Sequence, residues 1–94
     1  FRSDYHVYVP DVFTPNGDGL NDLFQPIIQG VRLYKIFLYN RSGSLVFSSQ
    51  NIEDSWDGTL NGTDLEQGVY QWVMEVSTSK EVYKKLSGQV YLSR

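Results

Sequence analysis

The hydrophobic pattern of this chain is mostly one of period two. After Gly68, Tyr70, Trp72, Met74 and Val76 fall on one parity and Gln71, Val73, Glu75 and Ser77 on the other. That alternation predicts a strand with one face in a core and the other mostly in water. Val31 to Tyr39 is the longest β-rich run, and from Tyr34 onward both of its parities are largely apolar. It reads as a strand covered on one face and partly shielded on the other. Tyr5 to Val9 is a short β-branched and aromatic run that stops at Pro10, which cannot donate to a central ladder. Leu23 to Ile28 reads as a second strand, and Pro26 inside it indicates an edge position or a bulge. Val82 to Leu86 is expected to pair back across the turn at Thr78 to Glu81, with Val90 to Leu92 as a separate last strand after Gly88.

Turn chemistry separates these runs. Asn40-Arg41-Ser42-Gly43 links the long run to Leu45-Val46-Phe47, and a four-residue link with Gly last predicts a hairpin built on a type I turn. Thr14-Pro15-Asn16-Gly17-Asp18-Gly19 predicts a tight, ordered loop. Between Ser48 and Gly68, Asp57-Gly58, Asn61-Gly62 and Gln67-Gly68 punctuate a long connection that has room for a short strand near Ser55 to Thr59. No segment shows the periodicity of an amphipathic helix. About seven short strands with turns at intervals of roughly 8 to 12 residues predict an all-β, immunoglobulin-like antiparallel β-sandwich.

Composition narrows the picture. At 94 residues the chain has room for one core, and with 40% hydrophobic residues, including an aromatic share of 15%, it has the rings to fill it. Cysteine is absent, which removes disulfides, thiolate metal sites and the Cys…Trp…Cys signature of antibody domains. Net charge is −3, while Lys80, Lys84, Lys85 and Arg94 make the last stretch locally basic. This balance argues against nucleic acid as a partner. No apolar run reaches the ~20 residues of a membrane helix. A chain that begins at Phe1 and shows no signal peptide reads as a domain excised from a longer protein.

Candidate chemistry is sparse. His6 is the single histidine and lies in an alternating strand, so a catalytic triad has no base other than a structural residue. Carboxylate pairs such as Asp54 with Asp57 or Asp18 with Asp22 are expected by chance among 11 acids. No phosphate or dinucleotide loop is present, and the chain is read as a non-enzyme. The loop from Thr14 to Gln25 places Asn16, Asp18, Gly19 and Asp22 at positions three, five, six and nine of a calcium hand. Thr14 and Gln25 stand where the leading acid and the bidentate glutamate belong, which excludes a strict calcium hand. The favoured reading has Asn16, Asp18, Asn21 and Asp22 capping their own backbone as Asx turns with no cofactor. The alternative is a weak structural calcium held by Asn16, Asp18 and Asp22. Asn61-Gly62-Thr63 matches a glycosylation sequon, but Asn-Gly is first a turn signal. Trp56 reads as a core plug closing one end of the sandwich, with a sugar platform as the alternative.

Taken in order, these residues resemble one family. Val9-Pro10 and Phe13 through Asp22 match the opening "P-x-x-F-T-P-N-G-D-G-x-N-D" block of the type B C-terminal sorting domain of the type IX secretion system, also called the gliding motility-associated C-terminal domain of Bacteroidetes. Tyr39-Asn40-Arg41-Ser42-Gly43 is similar to its "Y-N-R-W-G" turn, and Val46-Phe47-Ser48-Ser49 to its "V-F-x-S" strand. Trp56-Asp57-Gly58-Thr59 with Asn61-Gly62 is similar to its "W-D-G-T-x-N-G" block, and Gly68-Val69-Tyr70 and Gly88 through Arg94 complete the series. Ser42 departs from the aromatic residue usual in the family turn.

The resemblance implies a folded C-terminal secretion signal on a larger secreted or surface protein such as an adhesin. Its expected route runs through the periplasm to the type IX translocon and a PorP/SprF-type outer-membrane partner, ending in secretion or at the cell surface. A chain terminus a few residues after the last strand agrees with a C-terminal label. Recognition is expected at the last hairpin, where Lys84, Lys85 and Arg94 gather positive charge beside an edge that can accept a partner strand. For Lys84 and Lys85 the favoured reading is simpler, as charges that keep an edge strand from aggregating. The alternative function is an adhesion module that binds glycan or protein through its loops and Trp56 or Trp72, and a plain spacer is the third.

Overall fold

A computed structural model describes residues 6–15, 22–78 and 83–93. Within them lie nine strands and no helix: β1 (His6–Tyr8), β2 (Val12–Phe13), β3 (Ile27–Gln29), β4 (Val31–Tyr39), β5 (Leu45–Ser49), β6 (Thr59–Leu60), β7 (Thr63–Asp64), β8 (Gly68–Thr78) and β9 (Tyr83–Leu92). The principal sheet has the order β2-β9-β8-β4-β5, while β1 pairs with β3 and β6 with β7. The architecture is the expected all-β sandwich. Its core joins Tyr34, Ile36 and Leu38 of β4, Tyr70, Trp72, Met74 and Val76 of β8 and Val90 and Leu92 of β9 to Phe24 and Ile28 from the opposing layer.

Strand β4 has the limits expected from its composition, and β8 alternates as its sequence demands. Tyr70, Trp72, Met74, Val76 and Thr78 are buried, whereas Val69 and Gln71 are exposed. Each buried position removes apolar surface worth about 25 cal/mol per Å² from water, and this burial holds a chain without disulfides together.

Four details differ from the sequence expectation. First, β9 runs unbroken from Tyr83 to Leu92 instead of stopping at Gly88. Gly88 lies directly opposite Trp72 in the β8–β9 ladder. A Cβ added there would stand 2.6 Å from Trp72 Cζ2, so the glycine marks the close approach of an indole and not a turn. Second, the run at Leu23 is divided: Phe24 makes an isolated antiparallel bridge to Trp56, and the continuous strand starts after the buried Pro26. Third, the long connection holds a small hairpin, β6–β7, beyond the sequence expectation, with the expected Asn61-Gly62 turn at its tip and both residues at positive φ (55° and 83°). That is the geometry in which an Asn-Gly pair matches the twist of flanking strands. Fourth, one pairing is parallel, since β2 lies beside the end of β9 with Tyr91 N donating to Asp11 O at 2.9 Å and Ser93 N to Phe13 O at 3.0 Å.

Candidate functional site

Phe13, Trp56, Gly58 and Tyr70 of the motif series meet at one end of the sandwich, and there they make interior rather than surface. Trp56 is 2% exposed. Its backbone exchanges hydrogen bonds with Phe24, Phe24 N to Trp56 O at 2.8 Å and Trp56 N to Phe24 O at 2.9 Å. Its indole Nε1 donates to Thr59 O at 2.9 Å, so the one polar atom of the ring is satisfied within the fold. Around it stand Phe13 at 5.4 Å and Tyr70 at 5.2 Å between ring centroids, with Phe47 further out at 6.5 Å, and Phe13 in turn meets Phe24 at 6.1 Å. The core-plug reading of Trp56 therefore describes its position. Phe13, Phe24 and Tyr70, which sequence reasoning did not single out, are its walls. The signal for them was their place beside the turn blocks, but only the packed layers bring them to the same indole.

The turns of the motif serve the same end. The Asp57 carboxylate accepts from Thr59 N at 3.1 Å and from the Thr59 hydroxyl at 2.7 Å, an Asx turn that presents Thr59 O to the indole. Gly58 is buried at φ 84°, a left-handed conformation that favours glycine, and its carbonyl accepts from Leu65 N at 2.9 Å. At the β4–β5 turn, Asn40 Oδ1 accepts from the amides of Ser42 and Ser44, both at 2.9 Å. Gly43 N closes the turn on Asn40 O at 3.0 Å, with Gly43 at φ 85°. This is the expected turn with Gly43 in the left-handed position, and the β4–β5 register shifts beside it, between Leu38 and Tyr39. The exposed Ser42 sits at its tip and lines a shallow groove with Arg41, Leu65 and Glu66.

Of the Asp-rich loop, Asn16, Asp18, Gly19 and Asn21 lie outside the described residues; Asp22 is half-buried. Among the described residues no group of three or more His, Cys, Asp or Glu side chains is placed to hold a metal. His6 is exposed, opposite Gln29 in the β1–β3 ladder.

Strand β9 carries the charged candidates, and Arg94 lies outside the described residues. Lys84 and Lys85 are both exposed but project from opposite faces, as neighbours on a strand must. Lys85 stands opposite Glu75 on the outer face of the sheet, in a row that continues to Lys35, while Lys84 stands opposite Val76. On that outer face, loss of solvation first and the Glu75 carboxylate second hold the Tyr83 hydroxyl above its ordinary value. Near the same end of the sheet, burial first and the Asp54 carboxylate second push the Tyr34 hydroxyl up to about 12.

The chain is thus a disulfide-free β-sandwich whose Trp56 block builds its own plug and corner, with a charged strand at the surface. Comparison with known proteins places it in a family. The CHU_C Type IX secretion signal domain matches residues 7–92, and the chain belongs to that family. It is thus a type IX secretion signal domain, a class that directs its protein out of the cell, to secretion or to the surface. Among solved structures, CopC from Methylosinus trichosporium OB3b is similar in fold, with a TM-score of 0.60 and 13% identity over 94% of each chain. Comparison with curated protein sequences gives no match. Among the described residues no helix is long and apolar enough to cross a membrane.

Proposed function

We propose that this domain is the recognised label of a larger cargo, read in the periplasm by components of the type IX translocon, including an outer-membrane partner of the PorP/SprF type. The observation that carries the reading is the family match across residues 7–92, combined with the way the motif residues are used. Trp56, Gly58 and the Asn40 turn support packing and corners. Their role is to hold the fold, and the recognised surface is then a feature of the folded shape. The last hairpin is the best candidate for that surface, since β9 is long, basic at Lys84 and Lys85, and exposed.

The alternative adhesion reading uses the loops together with Trp56 or Trp72 as ligand platforms, and burial of both rings leaves the loops to carry it. At 2% and 9% exposure neither indole presents a face to a ligand. The test of the proposal is fusion of residues 1–94 to the C-terminus of a reporter in a type IX host. Export of the reporter is the expected result, and its retention in the periplasm would count against the proposal. Moving the domain to an internal position tests whether the end of the chain is itself read.

A further inference from the structure

The open edge of β9 carries the inference, which rests on the reading of the domain as a recognised label. Among the described residues, β9 is paired along its whole length to β8 but on its other side only to β2, at Tyr91 and Leu92. The amides of Tyr91 and Ser93 point to that second side, because they donate to Asp11 O and Phe13 O. Backbone groups alternate along a strand, so those of Tyr83, Lys85, Ser87 and Gln89 point the same way, toward open edge. Four donors and four acceptors thus extend in line beyond the end of β2, over about 20 Å of strand at ~3.4 Å per residue.

The two faces flanking this edge differ. The outer face carries Lys85, Ser87 and Gln89, all exposed. The inner face carries the exposed Lys84, the half-buried Leu86 and then Gly88, where the absence of a side chain leaves the Trp72 indole as the nearest surface. An added strand would therefore set one row of side chains against Leu86 and the indole edge and the other beside Lys85. Charge selects among occupants. The chain as a whole is at −3, yet this edge bears Lys85 on its outer face, opposite Glu75 of β8, and Lys84 on its inner face with no acid opposite it. A second copy of the same edge, paired antiparallel about Lys84 and Lys85, would bring two more lysines within a strand spacing of these two, which is unfavourable. We infer that the edge from Tyr83 to Gln89 is a docking site for one extended, alternating segment of a partner protein, apolar on one face and acidic on the other, added to the sheet as the strand next to β9 and collinear with β2.

The probe is a synthetic peptide of about eight residues alternating valine with glutamate, the length of a typical strand, and its counterpart with lysine in place of glutamate. Titration into the labelled domain, followed by amide NMR, should shift Tyr83, Lys85, Ser87 and Gln89 with the acidic peptide and leave them unmoved with the basic one. Ser87→Pro removes one edge donor without touching the β8 ladder, as proline on an edge strand does, and should weaken the acidic peptide by about tenfold or more. The same substitution in the full cargo should lower its exported fraction to a similar degree.

Shifts elsewhere on the domain, equal binding of both peptides, or normal export of a folded Ser87→Pro cargo would overturn the inference. So would a concentration-dependent dimer abolished by Ser87→Pro, which would assign the edge to a second copy. If Ser87→Pro fails to fold by thermal melting, the pair Lys84→Glu and Lys85→Glu decides, with loss of the acidic peptide expected and its unchanged binding contradicting the site. A wild-type reporter that stays in the periplasm argues against the export reading alone, and the peptide titration still decides the edge.

Discussion

The Trp56 end of the sandwich and the open edge of β9 use the same kinds of residues to opposite purposes. Around Trp56, aromatic rings and Gly58 are turned inward, and three polar groups of the motif turns are spent within the fold: the indole N–H on Thr59 O, the Asp57 carboxylate on Thr59, and Asn40 Oδ1 on two amides. Along β9, a glycine and a tryptophan again meet, at Gly88 and Trp72, but beside them a row of backbone groups and two lysines face outward. Phe13, Trp56, Gly58 and Tyr70 of the motif series are therefore among the residues least available to a partner. The Trp56 block of this chain thus serves folding, while β9 keeps one edge of its backbone unpaired from Tyr83 to Gln89 among the described residues.

The comparison can be broken most severely at the plug. Trp56→Ala should cost about 3–5 kcal/mol, because it removes the ring that Phe13 and Tyr70 pack against. For a domain whose whole stability is on the order of 5–15 kcal/mol, chemical denaturation should show a large fall in midpoint or outright unfolding. Next in size is Gly88→Ala, which drives a methyl to 2.6 Å from the indole of Trp72. A loss of about 1–3 kcal/mol is expected. In a double-mutant cycle, Trp72→Leu should recover part of that loss, and strict additivity would show that the contact is not the cause.

A pH titration probes the ground between the two regions. Tyr34 binds its proton more tightly in the folded chain than in the unfolded one, since its hydroxyl is pushed up from 10.0 to about 12. The unfolded state releases that proton first as pH rises, so the contribution is fully present below pH 10 and is lost between 10 and about 12. Denaturation across that window should show falling stability, and Tyr34→Phe should flatten the fall.

Smaller effects sharpen the contrast. Asn40→Ala frees the amides of Ser42 and Ser44 at a turn open to water and should cost about 1 kcal/mol. Lys84→Ala and Lys85→Ala should change melting by no more than about 0.5 kcal/mol each, the usual range for exposed positions. A stability loss at the lysines as large as that at Asn40 would erase the division between folding residues and surface residues.

Much of this was legible from residue order alone. The alternation in β8, the limits of β4, the turn at Asn40 to Gly43 and the interior fate of Trp56 follow from rules that act over a few neighbours: side-chain period, left-handed glycine and the capping habit of Asn and Asp. The family, too, was written in the motif series from Val9 to Gly88, because turn residues at fixed offsets survive as a pattern even when strands vary. The opposed faces of Lys84 and Lys85 were implicit in the period of two, although their closeness in sequence invites reading them as one patch.

What residue order did not determine is whatever depends on register between distant strands. Gly88 looks like a strand break until Trp72 is set opposite it, and that pairing exists only once β8 and β9 are aligned. The bridge from Phe24 to Trp56 and the parallel contact of β2 with Tyr91 and Leu92 likewise join segments far apart in the chain. The open edge of β9 is of the same kind. Whether a strand has one neighbour or two is a property of the whole sheet, since backbone hydrogen bonds carry no side-chain signature in the sequence, and here the sheet leaves Tyr83 to Gln89 paired on one side among the described residues.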